Sequence, residues 1–189
     1  MGNIIPALLS VPFAVVGVLL YRSDQPLWGP SLWLLIAFVI VGWLGVCLFG
    51  FYQNDRMRSE MGRKLDRAHD GRQEERFFVG CARPSFRSVL DAHEDVGFLI
   101  VHPEELEFFG DSIQLKIDRA SVQRIRYRPN PHTYVGLGRW VSIEGTSEGK
   151  PIRFMVEPRE KSTLMGNRAF GKKLRTRLED WLKGNGPQA

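Results

Sequence analysis

The N-terminal part of the chain is dominated by two long apolar stretches. Residues 4–21 and 31–52 contain no charged side chain and are mostly apolar. At a helical rise of about 1.5 Å per residue they would extend roughly 27 and 33 Å, close to the bilayer's hydrocarbon thickness of about 30 Å. The pattern predicts a transmembrane helical hairpin over residues 1–54, with membrane lipid as its surroundings.

Two other interpretations of these stretches compete with the hairpin. The first stretch can be a cleaved signal peptide, but it lacks a basic beginning and a small-x-small cleavage pattern. The second can be a buried helix of a soluble protein, but the uncharged sequence from Gln25 to Asn54 is longer than such a helix needs. The hairpin therefore stays the prediction.

Basic residues indicate which side of the membrane each flank faces. The predicted loop at residues 22–30 carries one basic residue, Arg22, whereas residues 53–76 carry seven. Lys and Arg are retained on the cytoplasmic side of membrane helices. The sequence therefore predicts a multi-pass protein of the cell (inner) membrane with both termini in the cytoplasm.

Residues 55–76 are predicted to form a charged juxtamembrane connector. Seven basic and six acidic side chains leave it with a net charge of +1. Met57, Met61 and Leu65 recur at helical spacing, which predicts that the second membrane helix runs on into the cytoplasm. This stripe is interpreted either as incidental apolar residues on a solvated helix or as a contact between protomers of a homo-oligomer.

From Phe77 onward, apolar residues recur at every second position, which is the period of a strand with one buried face. The last apolar residues instead recur at helical spacing, with Asn167 as the expected N-cap and Gly184 as the expected stop. The pattern predicts about seven antiparallel strands and one C-terminal helix over residues 77–184. A short tail follows at residues 185–189.

Several stretches resemble the pleckstrin-homology-like fold, in particular the bacterial and GRAM-type versions attached to paired membrane helices. They are GFLIVHPEELEFFG (97–110), IDRASVQRIR (117–126), RWVSIEG (139–145) and IRFMVE (152–157). Trp181 stands where the terminal helix of typical members carries a tryptophan. The resemblance covers residues 77–184. It implies a β barrel of two sheets plugged at one end by the helix and used for binding rather than catalysis.

The resemblance does not carry phosphoinositide binding with it. Members that bind phosphoinositides place a lysine and closely spaced arginines around the first hairpin. This chain has only Arg83 and Arg87 there and then turns acidic with Asp91, Glu94 and Asp95. A protein partner, a membrane-embedded complex or an anionic headgroup bound elsewhere is the expected ligand.

Charge is distributed unevenly over the predicted cytoplasmic part. Residues 77–111 have a net charge of −5, and residues 112–189 have a net charge of +9. Basic side chains near an anionic leaflet favour contact with headgroups, although the same residues also suit an ordinary solvated surface. Nucleic acid is not an expected partner, because the chain is membrane-tethered and contains no recognised module. The predicted binding residues are Arg124, Arg126, Arg128, His132, Tyr134, Lys172 and Lys173.

Residues 145–149, GTSEG, match the G-x-S-x-G pattern of a nucleophile elbow and would make Ser147 a catalytic serine. An elbow needs a helix after the serine and, in this class, a histidine downstream. The residues that follow alternate like a strand, and the last histidine, His132, lies upstream. The sequence therefore predicts a hairpin loop here and no catalytic residue.

His93, Glu94, Asp95 and His102 form the tightest cluster of candidate metal ligands along the sequence. Their spacing matches no zinc motif, and a predicted strand separates the two histidines. We therefore expect no metal site and no cofactor.

Together these features favour an integral membrane protein that presents a non-catalytic, pleckstrin-homology-like binding module to the cytoplasm. The alternative is an accessory module of the OB-barrel kind, as found with membrane proteases and stomatin-like proteins. Five barrel strands without a long terminal helix would favour that alternative. A membrane-tethered hydrolase ranks third.

Overall fold

The computed structural model of the chain describes residues 4–22, 29–51, 53–69, 75–84 and 93–184. Most of the predicted loop at 22–30, the side chains of Arg87 and Asp91, and the tail at 185–189 lie outside these residues. The chain divides into two compact units, which are Met1–Tyr52 with Ser162–Met165 and Gln53–Lys161 with Gly166–Ala189.

The first unit contains the two predicted apolar helices. Helix α1 spans Ile4–Arg22 and helix α2 spans Pro30–Phe49, so the helical N-terminal part is confirmed. Both helices are long and apolar enough to cross a membrane.

The two helices pack against each other through small residues. A Cβ atom added at Gly45 would lie 2.9 Å from the Cα of Pro6, and one added at Gly42 would lie 3.5 Å from the Cβ of Ser10. The buried Ser10 hydroxyl donates a hydrogen bond of 2.8 Å to the Pro6 carbonyl. By contrast, the exposed side chains are large and apolar: Leu8, Val15, Leu19, Trp33, Val39 and Leu48. This inside-out distribution is the reverse of that in a water-soluble helix pair.

Helix α3, Asn54–Ala68, belongs to the second unit. It begins after Gln53, which has a φ of 71°. Met61 and Leu65 are buried against side chains of the sheet, namely Phe78, Phe98 and Ile100. The interpretation of the apolar stripe as solvated or as a protomer contact is therefore wrong. It is part of the core, because the sheet presents a second apolar face to it.

The predicted seven strands are present. They are β1 (Arg76–Ala82), β2 (Asp95–Val101), β3 (Glu105–Gly110), β4 (Gln114–Asp118), β5 (Val122–Arg128), β6 (Trp140–Ser147) and β7 (Lys150–Pro158). All the pairings are antiparallel, in the order β4-β3-β2-β1-β7-β6-β5. The expected barrel is not closed, because β4 and β5 are the two free edges of one open sheet.

The C-terminal helix α4 spans Leu164–Leu182 and is the predicted amphipathic helix. Its expected N-cap is wrong, since Asn167 lies inside the helix. The Asn167 side chain instead accepts a hydrogen bond from the Lys161 N–H (2.8 Å) and donates one to the Lys161 carbonyl (2.7 Å). The expected stop is confirmed, because Gly184 has a φ of 81° and donates to the Trp181 carbonyl.

Side chains alternate between the two faces of the sheet. On the inner face, apolar residues of all the strands pack with Leu174, Leu178 and Trp181 of α4 into the main core. On the outer face, α3 packs on β1 and β2, with Phe109 of β3 at the edge of the contact. The outer face of β5, β6 and β7 carries a buried apolar patch of Trp140 and Met155 with Ala82, and beside it the polar side chains of Arg124, Arg126, Ser142 and Glu144.

Candidate anion-binding face

The three predicted binding arginines of β5 lie together on one face of the sheet. Val122, Ile125 and Tyr127 point into or pack against the main core, so the alternating residues Arg124, Arg126 and Arg128 point to the outer face. The irregular pairing between Val122 and Arg124 at the start of the strand brings Arg124 opposite a residue of β6, Glu144.

The carboxylate of Glu144 lies at the centre of these arginines. The Nε atoms of Arg124 and Arg128 lie 2.9 and 2.6 Å from its Oε2 and Oε1 atoms. Arg126 donates from Nε to Oε1 and from Nη2 to Oε2, each over 3.1 Å. Arg153 of β7 brings a fourth guanidinium, with its Nε 3.5 Å from Oε1. Sequence reasoning missed both Glu144 and Arg153.

Glu144 is ionised in this environment although it is only 5 % exposed. Burial alone would raise the pKa of its carboxyl group, but hydrogen bonds from three of the arginines and from Ser142 outweigh burial and hold the pKa well below its usual range. Four guanidinium groups around one carboxylate leave a local net charge of +3. The face is therefore cationic at neutral pH.

These guanidinium groups have donors left for an external acceptor. Each guanidinium carries five N–H donors. Within the described part of the chain, the four arginines direct their hydrogen bonds and ion pairs only to Glu144. Their side chains are between 27 % and 60 % exposed. We call Arg124, Arg126, Arg128 and Arg153 around Glu144 the arginine face.

The other predicted binding residues do not join the arginine face. Tyr134 is 83 % exposed on a 3₁₀ turn, Pro131–Val135, whose start is fixed by reciprocal bonds between Asn130 and Thr133. Lys172 and Lys173 line a groove on α4, the helix that packs on the inner face of the sheet. The predicted set is thus split between three parts of the second unit.

His132 points into a buried network. Its Nδ1 lies 2.9 Å from Oε2 of the buried Glu157, and the Nε2 of His93 lies 3.1 Å from the same oxygen. Two glycines leave the space that the side chains of His93 and Glu157 occupy. A Cβ atom at Gly80 would lie 1.9 Å from the His93 ring, and one at Gly138 would lie 2.0 Å from Glu157 Oε1. This is a buried polar network of the outer face.

No protein-family model matches this chain, and no curated protein matches it. Its function is therefore inferred from its own residues.

The buried network makes stability sensitive to acid. We expect the free energy of unfolding to fall as the pH drops from 7.5 to 5.5. Burial lowers the pKa of His93, and the hydrogen bond to Glu157 opposes this only in part. An unfolded histidine takes up a proton near pH 6.5, so the stabilisation is present above that pH and is lost below it, by at most about 1.4 kcal/mol per pH unit.

Glu157 adds to the loss at lower pH. Burial would raise the pKa of its carboxyl group, but the hydrogen bonds from His132 and His93 prevail and hold it well below its usual range. Its contribution is present above the unfolded pKa and lost as the pH falls further. Thermal unfolding of the full chain in neutral detergent, followed by circular dichroism, measures both effects. His93→Gln keeps an N–H donor but does not titrate, and an unchanged pH slope in this variant would contradict the assignment.

Ser147 ends a hairpin strand, as predicted. It pairs with Lys150, and the two residues between them, Glu148 and Gly149, have φ values of 51° and 76°. This is a tight two-residue turn between two strands and not a strand-to-helix elbow. Ser147 also borders a cleft of about 280 Å³ between β4 and β7, and no histidine is among the described residues that line it.

The metal-ligand cluster considered from the sequence is not assembled. His93 contacts Glu157, as described above, whereas His102 contacts Glu107 of β3. The two histidines thus belong to different networks, because β2 runs between them.

Proposed function

We propose that the chain is an integral membrane protein whose sheet domain is a non-catalytic binding module, and that its arginine face binds the phosphate groups of anionic lipid headgroups. The observation that carries this proposal is the set of four guanidinium groups held around one buried carboxylate. The resemblance to the pleckstrin-homology-like fold is consistent with a binding role.

Support for membrane anchoring comes from the α1–α2 pair. Its buried positions are small, and its exposed positions are large and apolar. Helices in lipid associate through close packing of small residues, since lipid removes the hydrophobic drive between them. In water the same surface would be a large aggregation-prone apolar patch.

Support for a phosphate ligand comes from the chemistry of the arginine face. Guanidinium forks match the geometry of phosphate oxygens and form charge-assisted hydrogen bonds with them. Glu144 acts as an internal counter-ion that fixes the Nε side of each arginine, so less side-chain freedom is lost when a ligand arrives. The net charge of +3 still attracts an anion.

A protein partner is the second candidate ligand, and Tyr134 is the observation that favours it. An aromatic side chain that is 83 % exposed on a well-fixed turn is typical of interface anchors. The OB-barrel alternative finds less support, since seven strands and a 19-residue terminal helix are present.

The double substitution of Arg124→Gln with Arg126→Gln tests lipid binding. Each basic residue near an anionic surface contributes about 1 kcal/mol, so this variant should bind an anionic phospholipid about thirtyfold more weakly. The full chain in neutral detergent is titrated with short-chain phosphatidic acid and, separately, with short-chain phosphatidylcholine. Native mass spectrometry counts the lipids bound.

The matched control is Lys172→Gln with Lys173→Gln, which removes the same charge from α4. Its affinity for phosphatidic acid should stay near that of the unchanged chain. Equal losses in both variants would show that only overall charge matters. Equal binding of the two lipids by the unchanged chain would contradict the headgroup proposal. The protein-partner candidate would then be tested with Tyr134→Ala in a pull-down from membranes.

A further inference from the structure

A polar cluster separate from the arginine face lies at the hairpin that joins β2 and β3. His102, Glu105 and Glu107 each offer a ligand atom there, and these atoms lie within 4.8 Å of one another. All three residues are partly buried, so a bound ion would be partly shielded from water. An imidazole with two carboxylates is a donor set that first-row divalent metal ions accept.

A second histidine lies beside one of these carboxylates. His69, directly after α3, places its Nε2 3.5 Å from Oε1 of Glu107. The Nε2 of His102 lies 3.3 Å from the other oxygen, Oε2. Donor atoms around a tetrahedral zinc ion lie about 3.3 Å apart, given bonds of about 2.0–2.2 Å. The His102–Glu107 pair therefore already has the spacing of two zinc ligands.

The hairpin that carries these donors is held by backbone hydrogen bonds. The His102 N–H donates to the Glu105 carbonyl over 3.0 Å, which closes the turn. The His102 carbonyl accepts from the indole N–H of Trp181 over 2.6 Å. Glu107 pairs with Ile100 on β2 and with Lys116 on β4, so its backbone lies inside the sheet. Ligands on such fixed elements lose little freedom when an ion binds.

The ammonium group of Lys116 already lies close to these two carboxylates. The Nζ atom of Lys116 lies 2.9 Å from Oε1 of Glu105 and 3.6 Å from Oε2 of Glu107. Its side chain is 60 % exposed and can swing into solvent. A metal ion would replace this ammonium group as the partner of the two carboxylates.

We propose that His102, Glu105 and Glu107 bind a divalent transition-metal ion of the Zn²⁺ kind, with His69 as a positioning residue that holds Glu107. Water completes the coordination. The site is independent of the arginine face and of lipid binding. The spacing of His102, Glu105 and Glu107 matches none of the zinc motifs considered from the sequence, and the fourth contributor, His69, lies far away in the sequence, directly after α3.

The test is calorimetric titration of the full chain with Zn²⁺ in neutral detergent, after removal of any polyhistidine tag. We expect one ion per chain. His102→Ala and Glu107→Gln should each weaken binding by at least tenfold, and His69→Ala by about tenfold, as is usual for a residue that orients a ligand. Lys116→Met should strengthen binding, because it removes the competing cation. Titration with Co²⁺ gives a visible absorption band that reports the ligand geometry.

The other histidine–glutamate–histidine network supplies matched controls. His132→Ala and Glu157→Gln should leave the affinity for Zn²⁺ unchanged. Circular dichroism melts without metal show whether each variant is folded. If His102→Ala proves unfolded, the affinity of Lys116→Met for Zn²⁺ still decides the test. Absence of binding, equal affinity in His102→Ala, or weaker binding in Lys116→Met would each overturn the proposal.

Discussion

Replacing Trp181 with Ala should lower the free energy of unfolding by about 4 kcal/mol, the range found for large aromatic side chains removed from cores. Trp181 is 0 % exposed and packs with Leu174 and Leu178 between α4 and the sheet. Its indole N–H also donates to the His102 carbonyl over 2.6 Å. The substitution therefore leaves a cavity and removes the partner of a carbonyl in the β2–β3 hairpin.

Trp181→Phe separates these two contributions. It keeps an aromatic ring but loses the donor, so a smaller loss of about 1–2 kcal/mol is expected. Chemical unfolding of the full chain in neutral detergent, followed by the circular dichroism of the sheet, gives both values. A loss below about 1 kcal/mol for Trp181→Ala would contradict the packing of α4 on the sheet, since core truncations of this size exceed it.

The strands and the terminal helix could be predicted because their signals are local. Alternation along a strand and helical spacing along α4 depend only on which face each residue presents. The position of Asn167 shows the limit of such signals. It satisfies a cap pattern in the sequence, but its side chain binds Lys161, and the helix begins earlier at Leu164.

The role of α3 was missed although the sequence contained a sign of it. Strands β1 and β2 are apolar at consecutive positions, for example Phe77-Phe78 and Leu99-Ile100. Continuous apolar runs indicate strands buried on both faces. Such strands need a second covering layer, and the stripe of Met61 and Leu65 on α3 provides it.

The candidate sites were only partly predictable because strand register is set by non-local pairing. Period two places the three arginines of β5 on one face, and the structure has them there. Only the register of β5 with β6, and of β6 with β7, brings Glu144 and Arg153 beside them. His69 and Glu107 are likewise joined only when α3 docks on the sheet.

Gly145→Ala should destabilise the chain by about 3 kcal/mol, the upper part of the range for overpacked positions. A Cβ atom at Gly145 would lie 1.9 Å from the carbonyl oxygen of Ser121 and 2.9 Å from the Cα of Val122. Both are backbone atoms, one directly before β5 and one at its first residue, so the start of the strand would have to move away from β6. The effect should appear as a lower midpoint in chemical unfolding of the full chain.

Ser147→Ala is the matched control on the same strand. Ser147 is half-buried at the end of β6, so its substitution should change stability by less than about 0.5 kcal/mol. Gly149→Ala should fall between the two, at about 1 kcal/mol, because its φ of 76° disfavours a side chain. This order assigns the glycines of GTSEG to close strand packing and to a tight turn. The opposite order, with Ser147→Ala as the most destabilising substitution, would contradict this assignment and indicate that the structure of the GTSEG segment depends on the serine.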